Sequence, residues 1–332
     1  MQREALAFWL REPGVGEIRR TMLAPPGAQD VAVKTLRSAV SRGTESLVFG
    51  GHVPPSQYDA MRAPFQDGDF PGPVKYGYLN VGLVEDGPPQ LRGRTVFCLH
   101  PHQTAYVVPA SAVTVVPDDV PVSRAVLAGI VETAVNALWD AAPLVGDRVA
   151  VVGAGTVGCC VARLLTRIPG VSVALVDVDP ARADVAAALE VDFALPDQAA
   201  GDRDLVFHTS ATSSGLQRSL ELLAPEGTVL ELSWYGDATT VLSLGGSFHS
   251  GRLAVRASQV GMVAPSRRGR RTTADRLALA LELLRDAAFD SLLTGESPFE
   301  TLPDVMARVV SGDLPGLCHT LTYDAVEVPC SV

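Results

Sequence analysis

The stretch that decides the fold reads Val149-Ala-Val-Val-Gly153-Ala-Gly155-Thr-Val-Gly158. Four small apolar residues precede three glycines spaced Gly-x-Gly-x-x-Gly, and the apolar run resumes up to Ala162. A strand-like run followed by this spacing predicts a buried strand, a tight turn and the start of a helix. Gly153 permits the tight turn, Gly155 lets a ligand approach the backbone, and Gly158 lets the helix pack closely on the strand.

Outward from this turn, strand and helix patterns alternate along the chain. The patterns predict strands at 148–152, 171–176, 205–208, 228–233 and 253–260, and helices at 157–167, 180–189 and 215–223. Upstream, Ser123 is a candidate N-cap for a helix that continues to Leu138. This alternation is typical of a doubly wound α/β domain, in which helices cover both faces of a parallel sheet.

An acidic residue ends the second predicted strand. Asp177 lies 22 positions beyond Gly155, and a carboxylate there can accept both ribose hydroxyls of NAD while repelling the 2′-phosphate of NADP. Asp179 strengthens that repulsion and Arg182 partly offsets it. The N–H groups at the start of the preceding helix attract a pyrophosphate. The sequence therefore predicts a dinucleotide site for NAD(H), with NADP(H) less favoured.

The regions on either side of this domain have a different pattern of apolar and turn-forming residues. Short β-like runs at 31–36, 79–84, 96–99 and 105–108 are separated by Pro- and Gly-rich turns, a spacing that favours irregular β structure of barrel type. After residue 264 the patterns predict helices at 274–287 and 302–310 and a last strand near 319–323. The run Arg267-Arg-Gly-Arg-Arg271 is either an anion-binding site or a solvated loop before a helix.

The composition excludes several classes of protein. Hydrophobic residues make up 47% of the 332 residues, which is ample for the cores of a soluble protein. A net charge of −10 argues against a general binder of nucleic acid or anionic membranes. The apolar runs are shorter than the ~20 residues of a membrane span, and the charged N-terminus does not resemble a signal peptide.

Cysteine usage points to a reducing compartment. The five cysteines are Cys98, Cys159, Cys160, Cys318 and Cys330. They are odd in number and contain no Cys-x-x-Cys pair, which is unlike a disulfide framework or a zinc knuckle. We therefore expect a cytoplasmic protein.

The order of parts resembles the medium-chain dehydrogenase/reductase superfamily, which includes the zinc alcohol, sorbitol and threonine dehydrogenases. Three stretches carry the resemblance besides the glycine turn: Val40-Ser-Arg-Gly-Thr-Glu45, Tyr76-Gly-Tyr-Leu-Asn-Val-Gly82 and Gly129–Thr133. They look like the segments in which relatives hold the catalytic zinc. The resemblance implies a GroES-like irregular β-barrel catalytic domain at 1–121, completed by 264–332, and a Rossmann domain at 122–263. It also implies a homodimer.

The sequence departs from this resemblance at each zinc position. Arg42 (or Ser41, with a different gap) stands for the family's cysteine, Tyr78 for its histidine and Gly129 for its third ligand. Arginine is not a practical metal ligand, and these residues cannot build a four-coordinate site. The four-cysteine lobe that holds structural zinc in relatives is absent too. We therefore expect no zinc, as in the family's quinone and enoyl reductases.

Polar residues near these positions are candidates for the chemistry. The resemblance places Thr44 where relatives have a hydroxyl that relays the substrate's proton; the alternative is a hydroxyl that satisfies loop backbone. Arg42 is either a group that binds a carbonyl or carboxylate or the ion-pair partner of Glu45. Tyr78 completes this polar set.

Two further titratable groups are candidates. His100 follows a predicted strand where relatives line the substrate pocket, and its ordinary pKa of about 6.5 suits acid/base work. With His102 it could instead form a packed or solvated pair, or a metal site with Glu45 or Glu132. Glu132 needs a partner because it lies in an apolar run. The predicted catalytic residues are Arg42, Thr44, Glu45, Tyr78, His100 and Glu132.

The remaining candidates follow strands of the α/β domain at their carboxyl ends, where such sheets bind ligands. Trp234 there is either a wall of the pocket or an ordinary packed aromatic. The predicted cofactor-binding residues are Thr133, Gly153, Gly155, Thr156, Val157, Gly158, Asp177, Arg182, Thr209, Ser210, Ser233 and Trp234.

Together these features predict a zinc-independent, NAD(H)-dependent oxidoreductase. The polar candidate set suggests that it interconverts an alcohol and a carbonyl on a polar small molecule, such as a polyol, a sugar derivative or a hydroxy acid. One alternative is an NAD(P)H-dependent quinone or enone reductase. Another is a non-catalytic dinucleotide-binding protein. We expect no nucleic-acid or membrane partner.

Overall fold

A computed structural model describes residues 3–323, so that Cys330 lies outside the described part of the chain. The strands are β1 (Arg3–Glu12), β2 (Val15–Leu23), β3 (Asp30–Val40), β4 (Asp67–Gly68), β5 (Val74–Lys75), β6 (Asn80–Asp86), β7 (Thr95–Cys98), β8 (Ala105–Pro109), β9 (Val113–Val115), β10 (Arg148–Val152), β11 (Ser172–Val176), β12 (Asp192–Ala194), β13 (Arg203–His208), β14 (Leu223–Glu231), β15 (Ala254–Ala257), β16 (Leu293–Pro298) and β17 (Cys318–Thr322). The α-helices are α1 (Arg42–Phe49), α2 (Val122–Ala125), α3 (Ala128–Ala141), α4 (Thr156–Leu165), α5 (Arg182–Ala188), α6 (Ser213–Leu222), α7 (Ser247–Ser250), α8 (Thr273–Leu283) and α9 (Leu302–Ser311).

The chain forms two compact units. Unit 1 comprises Met1–Gly129 with Leu293–Val332, and unit 2 comprises Ile130–Leu292. The second unit is therefore inserted into the first, as the resemblance implied. The boundaries differ from those of the sequence analysis, since residues 264–292 lie in unit 2. The physical reason is that Arg276, on α8, has its side chain buried against α3 of the same unit.

Unit 1 contains two sheets. A four-stranded sheet has the order β2-β1-β5-β4, and a seven-stranded sheet has the path β16-β17-β3-β6-β7-β9 with β8 paired to β3. The larger sheet carries a core cluster that includes Val33, Val96 and Tyr106. The hairpin of β1 and β2, which turns at Gly14 with φ +80°, was not predicted from the sequence.

Unit 2 contains a six-stranded parallel sheet in the order β12-β11-β10-β13-β14-β15. When these six strands are numbered 1 to 6 in chain order, their order across the sheet is 3-2-1-4-5-6. This is the order of doubly wound dinucleotide-binding folds. Val149–Val152 and Val173–Val176 are buried throughout, as expected of parallel strands with both faces covered. The carboxyl ends of β10 and β13 lie side by side at the point where the strand order reverses.

One predicted helix start was wrong. The helix expected from Ser123 to Leu138 is two helices, and Pro121, not Ser123, occupies the N-cap of α2. The fixed φ of proline places it well at a helix start. A tighter turn separates α2 from α3: the N–H of Leu127 donates to the carbonyl of Arg124, three residues back, as in a 3₁₀-helix. Within residues 3–323, no helix has the length and apolar character needed to cross a bilayer.

Candidate functional site

The glycine turn joins β10 to α4, and its three glycines differ in their surroundings. Gly153 has φ +109°, and a Cβ there would lie 2.7 Å from the backbone N of Ser210. A Cβ on Gly158 would lie 2.0 Å from the carbonyl oxygen of Gly153. Around a Cβ on Gly155 there is no atom of the described residues within 4 Å. Packing therefore requires glycine at the first and third positions, while the second leaves open space for a ligand.

The N-terminus of α4 faces this open space. Gly155 is the N-cap residue, and no described side chain caps the helix. Thr156 and Val157 follow in the first turn and are half-buried. The first N–H groups of a helix lack intrahelical partners and carry partial positive charge. They fit the pyrophosphate of a dinucleotide.

Asp177 lies immediately after β11, with its carboxylate fixed beside the turn. Its Oδ2 accepts a hydrogen bond from the N–H of Ala154 at 2.6 Å, and its Oδ1 accepts from Asp179 at 2.9 Å. Arg182 is directed to Asp179 at 3.4 Å. Each carboxylate oxygen keeps a further lone pair. The geometry therefore fits a ribose whose two hydroxyls donate to Asp177.

Three strand ends converge on the turn. The Thr209 hydroxyl donates to the carbonyl of Gly153 at 2.7 Å and ties the end of β13 to the turn. Ser210 follows it. After β14, Ser233 accepts a hydrogen bond from the N–H of Ala211 at 3.0 Å, and Trp234 is half-buried. The structure thus brings together most of the predicted cofactor-binding residues of unit 2, and Thr133 lies half-buried on α3.

A buried histidine that was not among the predicted site residues lies at this same edge. His208 has no exposed surface. Its Nδ1 lies 2.7 Å from Glu231 Oε2, and its Nε2 lies 2.7 Å from Ser210 Oγ. The Tyr235 hydroxyl donates to the same Glu231 oxygen at 2.9 Å. A histidine and a glutamate that each end an apolar strand were the available signal, but their pairing depends on the order of the strands.

In unit 1, the segment Ser41–Glu45 starts α1 directly after β3, and three hydroxyls meet there. The Tyr78 hydroxyl donates to Ser41 Oγ at 2.6 Å, and the Thr44 hydroxyl also hydrogen-bonds Tyr78. Burial and the nearby charge of Glu45 raise the pKa of Tyr78 to about 12, against the lowering effect of these hydrogen bonds. Tyr78 is therefore a protonated donor near neutral pH.

Glu45 belongs to a buried polar chain. Its Oε1 accepts from the N–H of Ser41 at 2.8 Å, and its Oε2 lies 2.9 Å from His102 Nε2. His102 Nδ1 lies 2.7 Å from Ser38 Oγ, which lies 2.7 Å from the Tyr323 hydroxyl. Ser38, Glu45, His102 and Tyr323 are all buried. The two carboxylate oxygens of Glu45 are therefore hydrogen-bonded to Ser41, at the start of α1, and to His102.

The Arg42 guanidinium binds a backbone carbonyl, a contact that neither of its two predicted roles included. Its guanidinium donates two N–H groups to the carbonyl of Leu314, whereas the oxygens of Glu45 are held by Ser41 and His102. Arg42 thereby fastens the start of α1 to the segment that follows α9, within unit 1.

His100 is buried and stacked. Its ring lies 3.9 Å from the ring of Tyr106, and its Nδ1 lies 2.9 Å from the carbonyl oxygen of Pro101. Burial lowers the pKa of His100 to about 3, although the hydrogen bond to Pro101 opposes the shift. The histidine is therefore neutral near pH 7. This arrangement favours the packed-histidine alternative over acid/base work.

Glu132 has the partner that its burial demands. Its Oε1 accepts a hydrogen bond from Arg276 Nε at 3.0 Å, and both side chains are buried. Burial raises the pKa of Glu132 although the charge of Arg276 opposes the shift. This pair gives Glu132 a structural role inside unit 2. The arginine run 267–271 lies in an exposed turn just before α8, in keeping with the loop alternative.

The residues at the zinc positions do not fit a metal. Arg42, Tyr78 and Gly129 offer no nitrogen or sulfur donor set of the kind zinc requires. Over residues 3–323, histidine, cysteine, aspartate and glutamate form no group of three that could hold a metal ion.

Comparison with known proteins establishes the fold. No family model matches the chain, and no curated protein matches it in sequence. Among solved structures, L-idonate 5-dehydrogenase from Escherichia coli K-12 superposes with a TM-score of 0.80 at 15% identity, over 97% of this chain and 99% of the other. An alcohol dehydrogenase from Escherichia coli CFT073 in complex with NADH gives 0.76 at 16% identity, over 96% and 99%. The 2R,3R-butanediol dehydrogenase of Bacillus subtilis gives 0.76 at 14% identity, over 96% and 99%.

These likenesses span nearly the whole chain. They confirm the predicted fold class, an α/β fold in which a doubly wound Rossmann domain is combined with a second, β-rich domain. The GroES-like form of the β-barrel remains a prediction.

Proposed function

We propose that the protein is an oxidoreductase that uses NAD(H) to interconvert an alcohol and a carbonyl on a polar small molecule, without zinc. The observation that carries the proposal is the pairing of the glycine turn with Asp177, whose carboxylate is hydrogen-bonded to Ala154 inside that turn. The open space at Gly155 and the acidic residue beside the turn support a dinucleotide without a 2′-phosphate. The similar alcohol dehydrogenase that holds NADH supports the same cofactor class.

The residues of unit 2 hold the dinucleotide in this proposal. The first turn of α4 binds the pyrophosphate, and Asp177 accepts the ribose hydroxyls. Asp179 adds negative charge where NADP would carry its phosphate, and Arg182 is already directed to Asp179. The nicotinamide supplies or accepts the hydride, and the protein positions the reactants and manages one proton.

The hydroxyl cluster of unit 1 manages that proton. Burial raises the pKa of Tyr78 to about 12, so the phenol is protonated. When substrate binds, its single O–H turns from Ser41, to which it donates here, to the substrate carbonyl and protonates the alkoxide formed by reduction. Ser41 and Thr44, which both hydrogen-bond Tyr78, orient the phenol and return a proton to it. The likeness to L-idonate 5-dehydrogenase and 2R,3R-butanediol dehydrogenase supports a polar alcohol as the substrate. In this proposal no step uses a metal.

The first test measures cofactor binding by fluorescence titration with NADH and with NADPH. We expect wild type to prefer NADH, and Asp177→Ala to weaken NADH binding by about 10-fold or more while relaxing the preference. Asp192→Ala, an exposed acid on β12 of the same sheet, is the matched control and should leave both affinities unchanged. Equal loss in the two variants, or a wild-type preference for NADPH, would contradict the NAD(H) assignment.

Turnover then separates the candidate activities. We expect NADH oxidation with polar ketones and NAD reduction with the corresponding polyols or hydroxy acids. Turnover restricted to quinones or enones would replace this proposal with the double-bond reductase. Tight NADH binding without turnover of any of these compounds would leave a non-catalytic dinucleotide-binding protein.

A further inference from the structure

Three side chains at the carboxyl ends of β13 and β14 stand in the order serine, histidine, glutamate. Ser210 Oγ lies 2.7 Å from His208 Nε2, and His208 Nδ1 lies 2.7 Å from Glu231 Oε2. His208 is fully buried, and the Glu231 side chain is 12% exposed. This order and these distances are those of a serine nucleophile activated by a histidine that a carboxylate orients.

The protons in this chain can be placed from its hydrogen bonds. Glu231 Oε1 accepts from the N–H of Ser233 at 2.7 Å, and Oε2 accepts from the Tyr235 hydroxyl at 2.9 Å. Burial opposes ionisation of Glu231, yet the bonds from His208 and Ser233 outweigh it and lower its pKa. An ionised carboxylate only accepts hydrogen bonds, so His208 Nδ1 carries the proton. His208 Nε2 is then the acceptor for the Ser210 hydroxyl.

The backbone around Ser210 suits a nucleophile. Ser210 lies in the short turn between β13 and α6, and the N-terminus of α6 favours negative charge there. The N–H of Ala211, the amide next to Ser210, donates to the Ser233 hydroxyl at 3.0 Å. The oxygen of an incoming carbonyl can take the place of that hydroxyl and receive the same N–H, as in an oxyanion hole.

We propose that Ser210, His208 and Glu231 form a second reactive site that transfers the acyl group of small activated esters to water. Ser210 Oγ attacks the ester carbonyl and its proton passes to His208 Nε2, which then protonates the departing alkoxide or phenoxide. Water, deprotonated by the same nitrogen, attacks the acyl-serine and releases the carboxylic acid and the free serine. No oxidant or reductant is consumed.

The position of Ser210 links this site to the glycine turn. A Cβ on Gly153 would lie 2.7 Å from the backbone N of Ser210, so the serine sits directly beside the turn. In the proposed function, a dinucleotide bound over that turn covers the serine. Acyl transfer should therefore occur in the cofactor-free protein and be inhibited by NADH, and this one point rests on the proposed function.

The experiment uses the full chain and a fluorophosphonate probe, with the labelled residue identified by peptide mass spectrometry. We expect labelling of Ser210 in wild type and its loss in Ser210→Ala. In His208→Gln the labelling rate should fall by at least about 100-fold, because a general base contributes that much or more. Ser214→Ala is the matched control, since Ser214 is an exposed serine of the same turn-and-helix segment, and it should label like wild type. Hydrolysis of p-nitrophenyl acetate should follow the same ranking.

The outcomes separate the two proposals. The absence of Ser210 labelling in folded wild type, or equal labelling rates in wild type and a folded His208→Gln, overturns the reactive site. Should His208→Gln fail to fold, Glu231→Gln decides, because loss of the carboxylate that orients His208 should slow labelling by at least about 100-fold, and a labelling rate equal to that of wild type overturns the reactive site. Labelling of Ser210 that NADH does not slow supports the reactive serine and counts against the proposed cofactor site alone.

Discussion

The buried ion pair between Arg276 and Glu132 gives a sharp test of what holds unit 2 together. Arg276 is 1% exposed and Glu132 is 4% exposed, and their nearest atoms lie 3.0 Å apart. The guanidinium also donates to Asn136 Oδ1 and to the carbonyls of Val260 and Met262. Arg276→Met keeps an apolar stem but removes the charge and all of these donors.

The expected loss follows from the charge left behind. Removing one partner of a buried ion pair costs about 3–5 kcal/mol, because the other charge stays buried without compensation. We expect Arg276→Met to lower the free energy of unfolding by that amount. The matched control is Arg252→Met, whose ion pair with Glu226 is 78% and 65% exposed. Its loss should stay below about 1 kcal/mol.

The assay is urea unfolding followed by tryptophan fluorescence, since Trp139 and Trp234 both lie in unit 2. A loss below about 1 kcal/mol for Arg276→Met, or a loss equal to that of Arg252→Met, would refute the reasoning from buried charge. Glu132→Gln gives a second check. A structural Glu132 predicts lower stability with turnover retained, whereas a loss of turnover in a variant of wild-type stability would return Glu132 to the catalytic residues.

The pH dependence of this pair has a definite sign. Burial raises the pKa of Glu132 in the folded state, with Arg276 opposing the shift, so the folded protein binds this proton more readily than the unfolded chain. This group's contribution to stability therefore falls as the pH rises from the ordinary carboxyl pKa through the raised value. In Arg276→Met the fall should extend to higher pH, because the opposing charge is gone.

Two further predictions concern the glycine turn and the phenol. Gly158→Ala places a methyl group 2.0 Å from the Gly153 carbonyl oxygen, so NADH affinity in titration should fall by at least about 10-fold, while Gly269→Ala, at a glycine with open space around it, should bind like wild type. Tyr78→Phe should reduce carbonyl reduction by about 100-fold or more with unchanged NADH affinity. Because the pKa of Tyr78 is about 12, the rate of alcohol oxidation by wild type should rise with pH through the alkaline range as the phenolate forms. A pH-independent rate, or the same rise in Tyr78→Phe, would exclude Tyr78 as the group that exchanges the proton.

Much of unit 2 could be predicted because its signals are local. Val149–Val152 and Gly153 to Gly158 are contiguous in sequence, so the strand, turn and helix could be predicted together. Asp177 could be predicted from its fixed distance along the chain. The hairpin of β1 and β2 carried no comparable signal, since its residues are mixed in charge and polarity and only Gly14 marks the turn.

The roles of single polar residues were harder to predict because they depend on distant partners. Arg276 lies 144 positions from Glu132, and no local sequence pattern indicates that the two residues pair. His100 has an ordinary sequence context, and its neutrality comes from burial against Tyr106. His208 and Glu231 are 23 positions apart, and they meet only because β13 and β14 are neighbours in the sheet.

The sequence by itself determined the doubly wound sheet, the glycine turn and the acidic residue beside it, because close packing and helix geometry constrain residues that are near each other along the chain. It also predicted that the residues at the zinc positions, Arg42, Tyr78 and Gly129, do not match the ligand set of a zinc site. Only the tertiary structure decided which carboxylates and histidines are buried and which groups they pair with. The physical reason is that burial and the approach of a distant charge or donor determine the protonation state and the free hydrogen-bonding capacity of such a group.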